Sequence, residues 1–133
     1  MLDSEKVPLI AFEYRYRDAG NFKASGRVLL QGNLSESERG EIIARLEDGE
    51  FFIAEQVGIP TLYDQLYAIN GGPNDDDHCW HEFVGFCDID GGIEGISAQR
   101  SAENLLDAFL SIEEWDPSLS PHAFSSWNIS LYP

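Results

Sequence analysis

Positive charge is scarce over most of this chain. After Leu46 the sequence offers one basic residue, Arg100, against 17 Asp and Glu, whereas five of its eight Lys and Arg fall within the first 27 positions. The formal net charge of −16 therefore belongs almost wholly to the later part. A field of that sign repels nucleic acid and anionic membrane and attracts cationic protein surfaces or metal ions. Direct binding of nucleic acid or of a membrane is not expected. Solubility asks for a net magnitude of only about 2–8 in a small domain, and denser charge costs stability through self-repulsion. The excess points to a basic protein partner.

Other absences narrow the reading further. No apolar run is long enough to span a bilayer. The start, Met1-Leu2-Asp3-Ser4-Glu5-Lys6, lacks a basic opening and an apolar signal core, so classical secretion is not expected and a cytoplasmic setting is. The two cysteines are Cys79 and Cys87. If residues 78–88 are extended, their Cα atoms lie about 26 Å apart, whereas a disulfide needs roughly 4.4–6.8 Å. Only a fold-back at Gly85 would join them, and two reduced cytosolic thiols is the plainer expectation. Walker, nucleophile-elbow and phosphate-cradling glycine patterns are missing. Asp88-Ile89-Asp90-Gly91-Gly92 fails as a calcium loop, because its glycine is displaced and Gln99 stands where a closing Glu is required. No cofactor is expected.

What remains is the composition of a globular domain: 43% hydrophobic and 12% aromatic in 133 residues, enough for one core. Ile10, Phe12, Tyr14 and Tyr16 alternate with Ala11, Glu13, Arg15 and Arg17, and the pattern resumes from Phe22 to Leu30, as in a β-hairpin. A three-residue loop, Asp18-Ala19-Gly20, would pair Tyr16 with Phe22, Tyr14 with Ala24 and Phe12 with Gly26, with Gly20 left-handed. It would set Arg15 opposite Lys23 on a face shared with Glu13, Arg17 and Arg27, cations expected to meet the protein's own carboxylates or those of a second copy. Ser35 and Glu38 form a capping box for a helix with Ile42, Ile43 and Leu46 on one face, stopping at Asp48-Gly49.

Phe51-Phe52-Ile53 reads as a short strand or a core plug. Pro60 opens a second helix with Leu62, Leu66 and Ile69. Residues 78–88 read as a central strand, and Ser97 or Ser101 caps a third helix that Asp116-Pro117 ends. A last strand is expected within 124–132. The class is α+β: a single domain over 1–133, its N-terminal hairpin extended into a mixed or antiparallel sheet with about three helices packed on it.

Two places carry chemistry. Asp75-Asp76-Asp77-His78-Cys79-Trp80-His81-Glu82 gathers carboxylates and imidazoles. As a metal site it would use His78, His81 and Asp77; as an acid–base site, His81 with Glu82. On a strand, however, positions 78 and 81 face opposite sides and so do 81 and 82, and histidines in such places more often close polar contacts at the mouth of a core. The second place is the acidic surface itself: Asp75, Asp76, Asp77, Glu94, Glu113, Glu114 and Asp116, with Trp115 as an aromatic anchor.

The strings Phe12-Glu13-Tyr14-Arg15-Tyr16-Arg17-Asp18-Ala19-Gly20-Asn21 and Asp77-His78-Cys79-Trp80-His81-Glu82-Phe83 resemble those of small acidic bacterial proteins to which no activity is assigned. The resemblance implies a bacterial or phage-like cytosolic setting and carries no catalytic residue. The leading expectation is an acidic interaction protein that binds a basic protein partner: an inhibitor, an immunity-type protein or a nucleic-acid mimic. Its rivals are a small metal-dependent or acid–base enzyme centred on His78, His81 and the Asp75–Asp77 loop, and a small-ligand or structural module whose acidity is incidental. The hairpin edge leaves room for a homodimer.

Overall fold

A computed structural model describes residues 8–17, 20–70, 78–89 and 98–119, with the backbone alone for 67–70 and 119. The elements are β1 (Leu9–Arg17), β2 (Lys23–Gln31), α1 (Glu36–Arg45), β3 (Phe51–Phe52), α2 (Ala54–Val57), α3 (Tyr63–Asn70), β4 (His81–Ile89), β5 (Arg100–Ser101) and α4 (Ala102–Leu110), followed by a 3-10 turn over Pro117–Leu119. The five strands form one mixed sheet in the order β3-β4-β1-β2-β5. Only the β2–β5 pair is parallel. This is the expected single α+β architecture, with four helices among the described residues instead of about three. No helix among them is long and apolar enough to cross a membrane.

The core follows from strand alternation. Ile10, Phe12, Tyr14 and Tyr16 on one face of β1 are buried, together with Ala24, Val28 and Leu30 of β2. The helices and their flanks pack into the same core with Ile42 of α1 and Leu46 just after it, Leu62 just before α3 and Leu66 within it, and Leu105 and Phe109 of α4. Phe12 is at the centre, its ring 5.0–5.9 Å from those of Tyr14, Phe52, Phe83, Phe86 and Phe109. Burying one such aromatic contributes roughly 1.5–3 kcal/mol.

The capping box forms as expected: Ser35 Oγ accepts from the Glu38 N–H at 3.0 Å and Glu38 accepts from the Ser35 N–H at 2.8 Å. Ser101, not Ser97, caps α4 through the Asn104 N–H at 3.0 Å. That helix ends at Leu110, well before Asp116-Pro117. Ile43 does not share the inward face of α1 and is exposed. Pro60 precedes α3 by three residues, and its carbonyl accepts from the Tyr14 hydroxyl at 2.6 Å.

The hairpin register differs from the expected one. Tyr16 pairs with Ala24, Tyr14 with Gly26 and Phe12 with Val28, so that residues 18–22 connect the strands. A slip of two residues preserves which side chains face inward, so alternation alone could not separate the two registers. Asn21 takes the left-handed conformation at φ 71°, and Phe22 lies outside the ladder, exposed. Arg15 now faces Ser25, and Arg17 faces Lys23. Gly26 lets Leu62 pack closely: a Cβ there would stand 2.8 Å from Leu62 Cδ2, so that side chain would have to shift. The strand expected within 124–132 lies outside the described residues.

Between β1 and β4 the ladder contains a bulge. Glu13 pairs with Gly85, but Tyr14 pairs with Phe83 and Arg15 with Glu82. Val84 is the extra residue and is 54% exposed. Without it, strict antiparallel pairing would bring Glu82 opposite Tyr16 on the core face and turn His81 outward. The bulge reverses both.

Candidate functional site

The segment 78–82 is built in two parts. Residues 78–80 precede β4, so the parity argument for His78 does not apply. The chain bends there and brings both imidazoles to one ring: the centroids of His78 and His81 lie 5.2 and 5.1 Å from that of Tyr16. Each imidazole binds backbone. His81 is fully buried among Tyr14, Tyr16, Phe52 and Tyr63, and its Nε2 accepts from the Leu62 N–H at 3.1 Å. His78 Nδ1 accepts from the Trp80 N–H at 3.0 Å, so its Nε2 carries the proton and donates to the Arg17 carbonyl at 2.7 Å. The Tyr16 hydroxyl accepts from the His78 N–H at 3.0 Å. An imidazole that accepts from an N–H is neutral at that nitrogen.

Glu82 points away from His81. Arg15 Nε donates to Oε1 at 2.6 Å, while Arg17 Nε and Nη2 donate to Oε2 and Oε1 at 3.1 and 3.0 Å. Burial alone would raise the Glu82 pKa; the hydrogen bonds and charges of Arg17 and Arg15 outweigh it and hold the carboxyl below its usual range. The same contact raises the pKa of Arg17. Cys79 is buried, its thiol pushed up to about 11 by desolvation, whereas Cys87 is exposed; both are free. Among the described residues no three His, Cys, Asp or Glu side chains are placed to hold a metal ion. Asp75, Asp76, Asp77 and Glu94 lie outside the described residues.

The acidic stretch after α4 is a defined structure. Arg45 Nη1 donates to the Ile112 carbonyl at 2.6 Å. The Gln56 carboxamide donates to the Glu114 carbonyl at 3.0 Å and accepts from the Asp116 N–H at 2.8 Å. Asp116 Oδ1 accepts from the Ser118 N–H and hydroxyl at 3.0 and 2.6 Å, closing the 3-10 turn. Trp115 Nε1 donates to the Arg45 carbonyl at 3.0 Å, and its ring meets Phe109 and Trp80 at 6.1 and 6.4 Å. Glu113, Glu114 and Asp116 are left exposed.

This segment and the end of α1 enclose an open groove of about 670 Å³, walled by Trp80 and Trp115 and bordered by Arg45, Glu47, Glu113 and Glu114. Sequence reading named Glu113, Glu114 and Trp115. It missed Trp80 and Glu47, which lie far off in the chain, and Gln56, which carries no chemical signature of its own. Comparison with protein-family models, curated proteins and solved structures finds no match for this chain.

Proposed function

We propose that this chain is a cytoplasmic interaction protein without catalytic activity, whose acidic surface binds a basic protein partner in the manner of an inhibitor, an immunity-type protein or a nucleic-acid mimic. The observation that supports this reading is how the arginines are used. Arg15 and Arg17 converge on Glu82, and Arg39 binds Asp88. Arg45 and Arg100 donate to the backbone carbonyls of Ile112, Val57 and Gly58. Among the described residues, the exposed carboxylates Glu41, Glu47, Asp48, Glu113 and Glu114 have no salt-bridge partner. Their charge acts outward, where it steers a cationic surface in and excludes that surface's anionic substrate.

The test is recovery of a single strongly basic protein on the immobilised chain, followed by titration of the purified pair across salt concentrations. The dissociation constant should rise steeply between low and high salt. A complex indifferent to salt would remove the electrostatic basis of the proposal.

A further inference from the structure

We infer that the groove between α1 and the segment after α4 receives an arginine side chain of the basic partner; this deepens the reading above and rests on it. The groove combines two recognition elements that neither the net charge nor the sequence order supplies. Its walls are two indoles at 74° to one another, centroids 6.4 Å apart, each half-buried. Its border holds three carboxylates, Glu47, Glu113 and Glu114, against one cation, Arg45. Arg45 is already tied to the Ile112 carbonyl at 2.6 Å.

A guanidinium matches both elements. It is planar, weakly hydrated and able to stack on an indole face while its N–H groups reach carboxylates in a fork. An ammonium carries the charge but stacks poorly and holds its water more tightly. A neutral ligand would leave the carboxylates unused, and an anion would be repelled. The Trp115 wall is fixed before any ligand arrives, by its N–H to the Arg45 carbonyl and by Phe109, and the Trp80 ring packs against it. Trp115 has little side-chain freedom left to lose on binding, which favours affinity.

The experiment uses the full chain and two capped peptides of equal charge, one alternating arginine with glycine, the other lysine with glycine. Binding is read by calorimetry and by indole fluorescence at low and near-physiological salt. The arginine peptide should bind about threefold more tightly than the lysine peptide and perturb the fluorescence. Trp80→Leu should weaken it by about tenfold. The double variant Glu113→Gln, Glu114→Gln changes only exposed groups, so folding is preserved. It should weaken binding and flatten the salt dependence, whereas Glu36→Gln at the far end of α1 should change little. If the peptide binds with steep salt dependence yet both groove variants match the parent, the groove is wrong and the acidic-partner reading stands. If no binding occurs even at low salt, both fall. Equal affinity for the two peptides would overturn the arginine assignment.

Discussion

The Leu62 backbone N–H donates to Nε2 of His81 at 3.1 Å, joining two residues 19 apart in sequence inside the core. This bond assigns His81 its tautomer, with the proton on Nδ1, and makes the neutral ring part of the packing. Nitrogen-15 spectra at neutral pH should show Nε2 unprotonated; a signal from protonated Nε2 would contradict the geometry. His81→Ala should cost about 3 kcal/mol, because it opens a cavity and strands the Leu62 amide. His81→Gln, whose carboxamide oxygen can accept in place of Nε2, should cost about half that.

Glu82 gives a pH-dependent test. Its pKa is lower in the folded state than in the unfolded chain, so its contribution is complete above the unfolded value, about 4.3, and is lost as pH falls through the folded value. Glu82→Gln should therefore destabilise by about 2 kcal/mol at neutral pH, between the usual surface and buried cases. The gap from the parent should narrow in strong acid. Urea titrations of both proteins at neutral and acid pH would measure this, and a gap that widened on acidification would refute it.

The thiols should separate into two classes. Cys87 is exposed and Cys79 is fully buried, with its pKa raised to about 11. A thiol reagent should modify Cys87 promptly in the native protein and reach Cys79 only on unfolding. Equal rates for the two in native buffer would show that the Cys79 environment is misassigned.

Two glycines should respond to alanine with opposite signs. Gly40 is an exposed interior residue of α1 with no atom within 4 Å of an added Cβ, so Gly40→Ala should stabilise by about 0.5–1 kcal/mol. At Gly26 the added Cβ would meet Leu62 Cδ2 at 2.8 Å, and Gly26→Ala should cost about 1 kcal/mol as Leu62 shifts. Paired melting temperatures would check both.

Local chemistry was readable wherever a few adjacent residues decided it. Ser35 and Glu38 identified the start of α1, and the alternation from Ile10 to Tyr16 identified the inward face of the hairpin. The expectation that the hairpin's cations meet the chain's own carboxylates holds for Arg15 and Arg17 on Glu82. The hairpin register was not readable, since shifts by two leave the pattern unchanged. Ile43 was expected inside because it is apolar, but its place on α1 is exposed.

The sequence by itself determined the sign of the field, the strand and helix periodicities, and which face of β1 is apolar, because each is a property of near neighbours or of simple counting. Tertiary structure alone decided which side of the sheet His81 and Glu82 occupy. That rests on the single unpaired residue Val84: inserting it between Glu13 and Tyr14 in the pairing shifts every later residue of the ladder by one position. The groove is likewise tertiary. Trp80 and Trp115 lie 35 positions apart and meet only because α4 packs beside α1 and Gln56 ties down the segment that follows it.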